Sequence, residues 1–308
     1  MSRAGKIILG AGAGVAAAIA ALYTTAWLRS TPIEHAAFFT PHEGENRLLV
    51  FAHQGGEGAA PSNTMIAFRK AAGVGADVLD ADLHMSAEGE LVLIHDETVD
   101  RTSNGTGAVR DLTLAELRTL DFGYQVTAID GHGHPFRGQG VGIVTAEELF
   151  TEFGYRESDG AHVRFGIEIK QTTAEAATRF CDLIRRFGYE DRVLVSSFEQ
   201  PNMDVFRAAC PEVATSATED EVRTFYILHR LGLEGLIQPA YESFQVPEYS
   251  GDILILAPGF VDAAQERNIA VIPWTINDAD DLGRMIDLGV TGINTDHPDR
   301  LLDLLTAG

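Results

Sequence analysis

From residue 48 onward, short apolar and β-branched runs alternate with longer stretches of helical period. The runs 48–53, 78–83, 163–169, 193–196, 213–216, 235–238, 269–274 and 291–294 have strand length and composition. Between and after them, helical periodicity appears at 64–74, 174–187, 203–209, 219–231, 259–267, 279–288 and 300–305. Eight such units in about 260 residues predict an α/β fold, a TIM-type (β/α)8 barrel with its site at the carboxyl ends of the strands. A doubly wound open sheet also alternates, but no Gly-rich phosphate turn follows the first run. The segment 84–144, rich in Gly, His and Thr, is too long for a simple connection and is predicted to be an insertion after strand two, over the barrel mouth.

The N-terminus follows a different pattern. Ile7 to Leu28 is a run of 22 residues without a charge. At about 1.5 Å per residue, such a helix just spans a hydrocarbon core of about 30 Å. Arg3 and Lys6 before it favour a cytoplasmic N-terminus with the body on the extracytoplasmic side, and Tyr23 and Trp27 suit an interfacial belt. The competing reading is a signal segment cleaved after small residues such as Ala16, Ala18 or Ala20, which leaves a secreted or periplasmic body. The chain thus divides into an anchor or signal at 1–28, a Pro-containing linker at 29–46, and a barrel at 47–308.

Charge narrows the partners. In 308 residues, 23 Lys and Arg face 45 Asp and Glu, a net −22, and no basic run is present. Nucleic acid is therefore excluded as a partner, and any phosphate the chain binds needs a local source of positive charge. Cys181 and Cys210 lack C-x-x-C spacing and are expected to be buried free thiols. Oligomeric state leaves no trace in the sequence.

Several ionisable residues fall at strand ends. His53 closes the first run, on the same face as Leu49 and Phe51. Asp80 and Asp82 share one face of the second run while Leu79, Ala81 and Leu83 take the other. After Asp82 the chain reads as a hairpin turning at Glu88-Gly89; in a register summing to 177, His95 returns opposite Asp82. Glu168 and Lys170 share a face at the end of the third run. Three carboxylates with one ammonium suit a hard divalent cation, Mg²⁺ or Ca²⁺, which also supplies the positive charge a phosphate requires. A plain Glu168–Lys170 ion pair is the alternative. Trp274 ends the seventh run and suits either the cleft or barrel packing. His132 and His134 are a weak candidate metal pair, with His162 remote in sequence. Asn63 is expected to support the first loop, Asp96 to act on His95 only indirectly, and His297 to be structural.

In order along the chain stand His53-Gln54-Gly55-Gly56, Pro61-Ser62-Asn63-Thr64, Asp80-x-Asp82, His95-Asp96, Asp100-Arg101-Thr102, Glu168-Ile169-Lys170, Trp274-Thr275-Ile276-Asn277 and Thr295-Asp296-His297-Pro298-Asp299. This set resembles the glycerophosphodiester phosphodiesterase family over roughly 48–305. The resemblance implies a TIM barrel with a small insertion after strand two. It also implies His53 and His95 as acid–base groups, and Asp80, Asp82 and Glu168 as ligands of a divalent cation. Lys170, Gln54 and Trp274 take substrate or phosphate positions, although Gln54 stands where the family usually has an arginine. Ser62 and Asp80 replace family glutamates, with Glu57 a substitute for the first. The implied reaction is hydrolysis of a glycerophosphodiester to glycerol phosphate and an alcohol, with a neighbouring substrate hydroxyl attacking first to give a cyclic phosphate. Two alternatives follow: a lysophospholipase D on lysophospholipids at a membrane reached through the N-terminal helix, and an inactive membrane-tethered phosphate- or lipid-binding protein.

Overall fold

The structure, a computed structural model, describes residues 3–41, 48–127, 131–154, 163–171 and 173–307. His162 lies outside them. Eight parallel strands form the barrel: β1 Leu49–Ala52, β2 Val78–Met85, β3 Arg164–Ile169, β4 Val193–Ser196, β5 Ala214–Thr215, β6 Ser243–Val246, β7 Ala270–Pro273 and β8 Gly292–Thr295. Parallel ladders run β8-β1-β2-β3-β4-β5, and β6 pairs with β7. A parallel bridge, Ser216 to Ser243, joins β5 to β6, and Thr291 N donates to Val271 O (2.9 Å) between β7 and β8. The ring is closed, as the alternation predicts.

Period-two alternation splits the strands into two cores. Val50, Leu79, Ala81, Ile167, Val195, Val271 and Ile293 pack outward against the helices. Leu49, Phe51, Val78, Leu194, Ala214, Ala270 and Ile272 face inward and meet Phe38 and Phe39 at the barrel floor. One residue pair further along each strand, the same inward parity yields His53, Asp80, Ser196, Ser216, Trp274 and Asn294. The apolar floor thus fixes which side chains reach the mouth.

Strand six is not the predicted 235–238. That stretch is a 3₁₀ turn, Glu234–Leu236, whose carbonyls at Glu234 and Ile237 accept from Arg267 (2.6 and 2.7 Å). The strand is Ser243–Val246, whose polar Ser243 and Gln245 face the barrel interior and mask its strand character. The hairpin register also differs from the prediction: Leu83 faces Leu93 and Met85 faces Leu91, so partners sum to 176. Its loop has three residues, closed by Ser86 N to Glu90 O (2.9 Å), with Gly89 at φ +88° in the left-handed position such loops require. Beyond the hairpin, the insertion packs its own small core around Val92, Ile94, Val99, Val109, Leu117 and Phe122.

The predicted N-terminal helix forms over Arg3–Arg29, but among the described residues no helix is long and apolar enough to cross a membrane. The structure therefore supports the helix and not the crossing. Its last turns rest on the barrel: Tyr23 Oη donates to Leu231 O (3.0 Å) and Ala26 is buried, while Trp27 is 76% exposed. The following arm runs along the floor, with Ile33 N on Arg267 O (3.0 Å) and Thr40 O accepting from Arg164 (3.0 Å). This attachment is at the end of the barrel opposite the mouth. The cysteines, expected to be free, form a Cys181–Cys210 disulfide between the helix Ala174–Phe187 and the end of the helix Gln200–Ala209, which pack side by side.

Candidate active site

His53, Asp80, Asp82, His95, Glu168, Lys170 and Trp274 all line one cavity of about 350 Å³ at the carboxyl ends of the strands. Gln54 does not line it. Held at φ +51° in the turn after β1, Gln54 is buried with Nε2 3.4 Å from His53 Nε2, and its Oε1 has no partner.

His53 Nδ1 lies 2.6 Å from Asp296 Oδ1. Asp296 is fixed in turn by Asn277, whose Nδ2 donates to Asp296 Oδ2 (2.6 Å) and whose Oδ1 accepts from Asp296 N (2.9 Å). Burial pushes the His53 imidazolium down, but the Asp296 hydrogen bond and the charges of Asp80, Asp296 and Asp82 outweigh it and raise the pKa to about 9. His53 is thus favoured in its charged form, with Nδ1–H committed to Asp296; its Nε2–H is then met by the Gln54 amide with Oε1, the end otherwise without a partner, turned toward it. Asp296 escaped sequence reasoning as a site residue; the available signal was a carboxylate directly after the last barrel strand.

His95 is anchored differently. Its Nδ1 is 2.8 Å from Asp96 Oδ1, and Arg101 clamps Asp96 through Nε (2.6 Å) and Nη2 (3.0 Å). The Arg101 bonds chiefly, then the His95 bond, hold Asp96 down at about 2 despite its partial burial. Asp96 was expected to act only indirectly, because neighbours on a strand point apart. However, the hairpin strand Leu91–Leu93 has ended before them, so the restriction lapses. On the other side of the ring, Nε2 is 3.2 Å from Lys170 Nζ. A carboxylate only accepts and an ammonium only donates, so the proton of His95 sits on Nδ1 and its Nε2 accepts from Lys170. Buried His84 donates Nε2–H to His95 O (3.2 Å) and fixes the backbone there.

Lys170 Nζ sits 2.9 Å from Glu168 Oε2 and 3.3 Å from Asp82 Oδ1. Burial lowers its pKa, but Asp82 and Glu168 reverse the effect and raise it. Asn63, at φ +56°, donates to Asp82 Oδ2 (2.9 Å) and accepts from Asp82 N (3.0 Å), a more direct role than the loop support expected of it. Asn294 Nδ2 donates to Asp80 Oδ2 (3.1 Å). Asp80 pairs in register with Gly166, where a Cβ would lie 3.0 Å from Asp80 Oδ1, so glycine leaves room for the carboxylate. Burial, reinforced by Asp82 and Glu168 against the opposing pull of His53 and Asn294, raises Asp80 to about 7; burial likewise raises Glu168.

Asp82 and Glu168 share the Lys170 ammonium and Asp80 lines the same cavity, an oxygen donor set whose chemistry suits a hard divalent cation, although these three are not among the groups whose ligand atoms already converge. Here the Lys170 ammonium lies between Asp82 and Glu168. Among the described residues the groups that bring three ligand atoms within 4.8 Å are Cys181–Cys210–Glu212, where the sulfurs are bonded to each other, and His53–Glu57–Asp296. His134 instead meets Val126 O (3.1 Å) and is exposed, joining no third ligand. The His297 ring packs against Gly58, where a side chain would collide with it, which agrees with a structural role. Trp274 meets Phe198 edge to face at 5.8 Å on the apolar wall of the cavity.

The glycerophosphoryl diester phosphodiesterase family model matches residues 53–300. A glycerophosphodiester phosphodiesterase from Caldanaerobacter subterraneus subsp. tengcongensis is 31% identical over 85% of this chain and 99% of its own length. A human lysophospholipase D is 25% identical, covering 82% of this chain and 85% of its own. Among solved structures, an Oleispira antarctica phosphodiesterase in complex with the product sn-glycerol-3-phosphate superposes with a TM-score of 0.68 at 21% identity, covering 88% of this chain and all of that one, a likeness of fold. With its TIM barrel, and a match that spans nearly the whole of it, the chain belongs to the glycerophosphodiester phosphodiesterase family and is a phosphoric diester hydrolase.

Proposed function

We propose that the protein hydrolyses glycerophosphodiesters to glycerol phosphate and an alcohol, with His53 as the proton donor and His95 as the proton acceptor. The observation that carries this reading is the opposite state of the two rings facing one cavity. His53 is favoured in its charged form by Asp296, whereas His95 presents an unprotonated Nε2. A substrate hydroxyl beside the phosphate gives its proton to His95 Nε2 as it attacks phosphorus, and His53 Nε2 protonates the departing alkoxide. The resulting cyclic phosphate is opened by water with the roles reversed: His53, now neutral, takes the water proton, and His95 returns its proton to the ring oxygen.

Asp80, Asp82 and Glu168 are the residues that would hold Mg²⁺ or Ca²⁺. When bound, such an ion supplies polarisation of the phosphoryl group and neutralises its charge. Lys170, at 18% side-chain exposure, adds a second positive charge at the cavity wall. This cationic patch takes the place of the arginine that Gln54 replaces. The disulfide supports work on the extracytoplasmic side, since disulfides persist in oxidising compartments.

Alanine at His53 or His95 should each lower turnover of glycerophosphocholine by at least about a hundredfold in a protein that keeps its fold. Near-normal turnover would remove that residue from the mechanism. A second reading, hydrolysis of lysophospholipids, draws on the apolar wall of Phe198, Val222, Val246, Pro247 and Trp274. Cation binding without turnover on either class would instead favour a binding protein.

A further inference from the structure

The motif Asp100-Arg101-Thr102 with Asn104-Gly105 lies in the insertion, and none of its residues lines the catalytic cavity. It folds into a closed loop: Thr98 and Ala108 form an antiparallel bridge, with Val99 N on Gly107 O (3.0 Å). Inside the loop, Asp100 Oδ2 accepts from Gly107 N (3.0 Å), and Ser103 Oγ donates to Val99 O (2.8 Å) and accepts from Gly105 N (2.9 Å). Asn104 Oδ1 accepts from Asp121 N (2.8 Å) and ties the loop to the rest of the insertion. These side chains serve the loop's own backbone. Arg101 does not, and its guanidinium reaches the groups that attend the two histidines.

Nε and Nη2 of Arg101 grip the two oxygens of Asp96 in parallel, and Oδ1, the oxygen bound by Nη2, is also the one that meets His95 Nδ1. Such a fork fixes the plane of the carboxylate and, through the shared oxygen, the direction of the ring. On its other side, Arg101 Nη1 lies 3.9 Å from Glu57 Oε1. Glu57, His53 and Asp296 each bring one nitrogen or oxygen within 4.8 Å of the others, so Arg101 offsets a second carboxylate crowded against the His53–Asp296 pair.

We propose that Arg101 is a positioning residue for both histidines, presented by the insertion, which holds Asp96 against His95 and balances Glu57 beside His53 and Asp296. This rests on the proposed hydrolase reading, in which those two rings carry the protons. Lysine at the same place supplies the charge but not the two parallel bonds.

The test measures kcat and KM of the full chain on glycerophosphocholine with Mg²⁺ or Ca²⁺. Arg101→Ala should lower kcat by about tenfold or more with KM changed by less than about threefold, and Arg101→Lys should recover only part of the loss. The same Arg101→Ala change made on top of Asp96→Ala should cost no more than about threefold, because its main route to His95 is already gone. On top of Asp96→Ala with Glu57→Ala it should cost nothing further. A loss of folded fraction caused by Arg101→Ala would lower kcat in every background alike, so the dependence on Asp96 and Glu57 is the readout. An unchanged kcat in Arg101→Ala, full recovery by lysine, or equal losses in all backgrounds would overturn the proposal and leave the hydrolase reading intact. Absence of turnover by the wild type would instead count against the hydrolase reading itself.

Discussion

Replacing Asp296 by Asn keeps the shape of the His53 partner and removes its charge. Two of the contributions that raise His53 from 6.5 to about 9, the hydrogen bond and the charge of Asp296, then weaken or vanish, while the opposing effect of burial stays. A change from 6.5 to about 9 corresponds to roughly 3 kcal/mol of preference for the charged ring. Without Asp296 the value should fall toward the ordinary 6.5, burial pulling it down against the remaining charges of Asp80 and Asp82. At pH 7.5, the charged fraction then falls from more than about nine-tenths toward about a tenth, up to a tenfold loss before any loss of ring orientation. With orientation included, glycerol phosphate release at pH 7.5 should fall by about a hundredfold to a thousandfold. The pH profile of kcat/KM is the sharper assay. His53 acts in its protonated form, so the wild-type rate is present below its folded pKa and lost as pH rises through about 9. In Asp296→Asn that limb should move down toward 6.5, and part of the lost rate should return on lowering the pH to about 5.5. An unmoved basic limb would refute the role of Asp296 and the assignment of His53 as proton donor.

Asp80 is shifted in the same direction, upward, and its effect is read in stability. Its folded pKa of about 7 exceeds its ordinary 3.8, so the stability this group contributes is present below 3.8 and is lost as pH rises through about 7. Mg²⁺ or Ca²⁺ should offset that loss, raising Tm more at pH 8 than at pH 5.5 by scanning fluorimetry; equal shifts at both would argue against Asp80 as a ligand. The disulfide closes a loop with a sequence separation of 29, so Cys181→Ser should cost about 3–4 kcal/mol in denaturant unfolding, with little effect on kcat once folded. Identical unfolding curves would show that the bridge contributes nothing to stability.

The barrel was legible because period-two alternation over an apolar floor leaves a sequence imprint, and the same parity brought His53, Asp80, Asp82, Glu168 and Lys170 to one cavity. What escaped depended on distant chain segments. Asp296 reaches His53 across 243 residues of sequence, and its place directly after the last strand marks it as a mouth residue without showing which side chain it meets. The helices carrying Cys181 and Cys210 pack side by side, a proximity that their spacing does not encode. Strand six was misplaced because its inward residues, Ser243 and Gln245, are polar, whereas Gly235–Leu236 beside Ile237 imitated an apolar run. The hairpin slipped by one residue because a two-residue and a three-residue loop around Glu88-Gly89 look alike in sequence and differ only in where the pairing starts.

Release of glycerol phosphate from glycerophosphocholine by the purified protein, measured with Mg²⁺ or Ca²⁺ and again with chelator, tests the central claim most directly. Turnover that chelator abolishes and added cation restores is the expected result. Turnover indifferent to chelator would contradict a cation at Asp80, Asp82 and Glu168, and a folded protein that binds the cation yet releases no product from this or any other glycerophosphodiester would contradict the hydrolase reading.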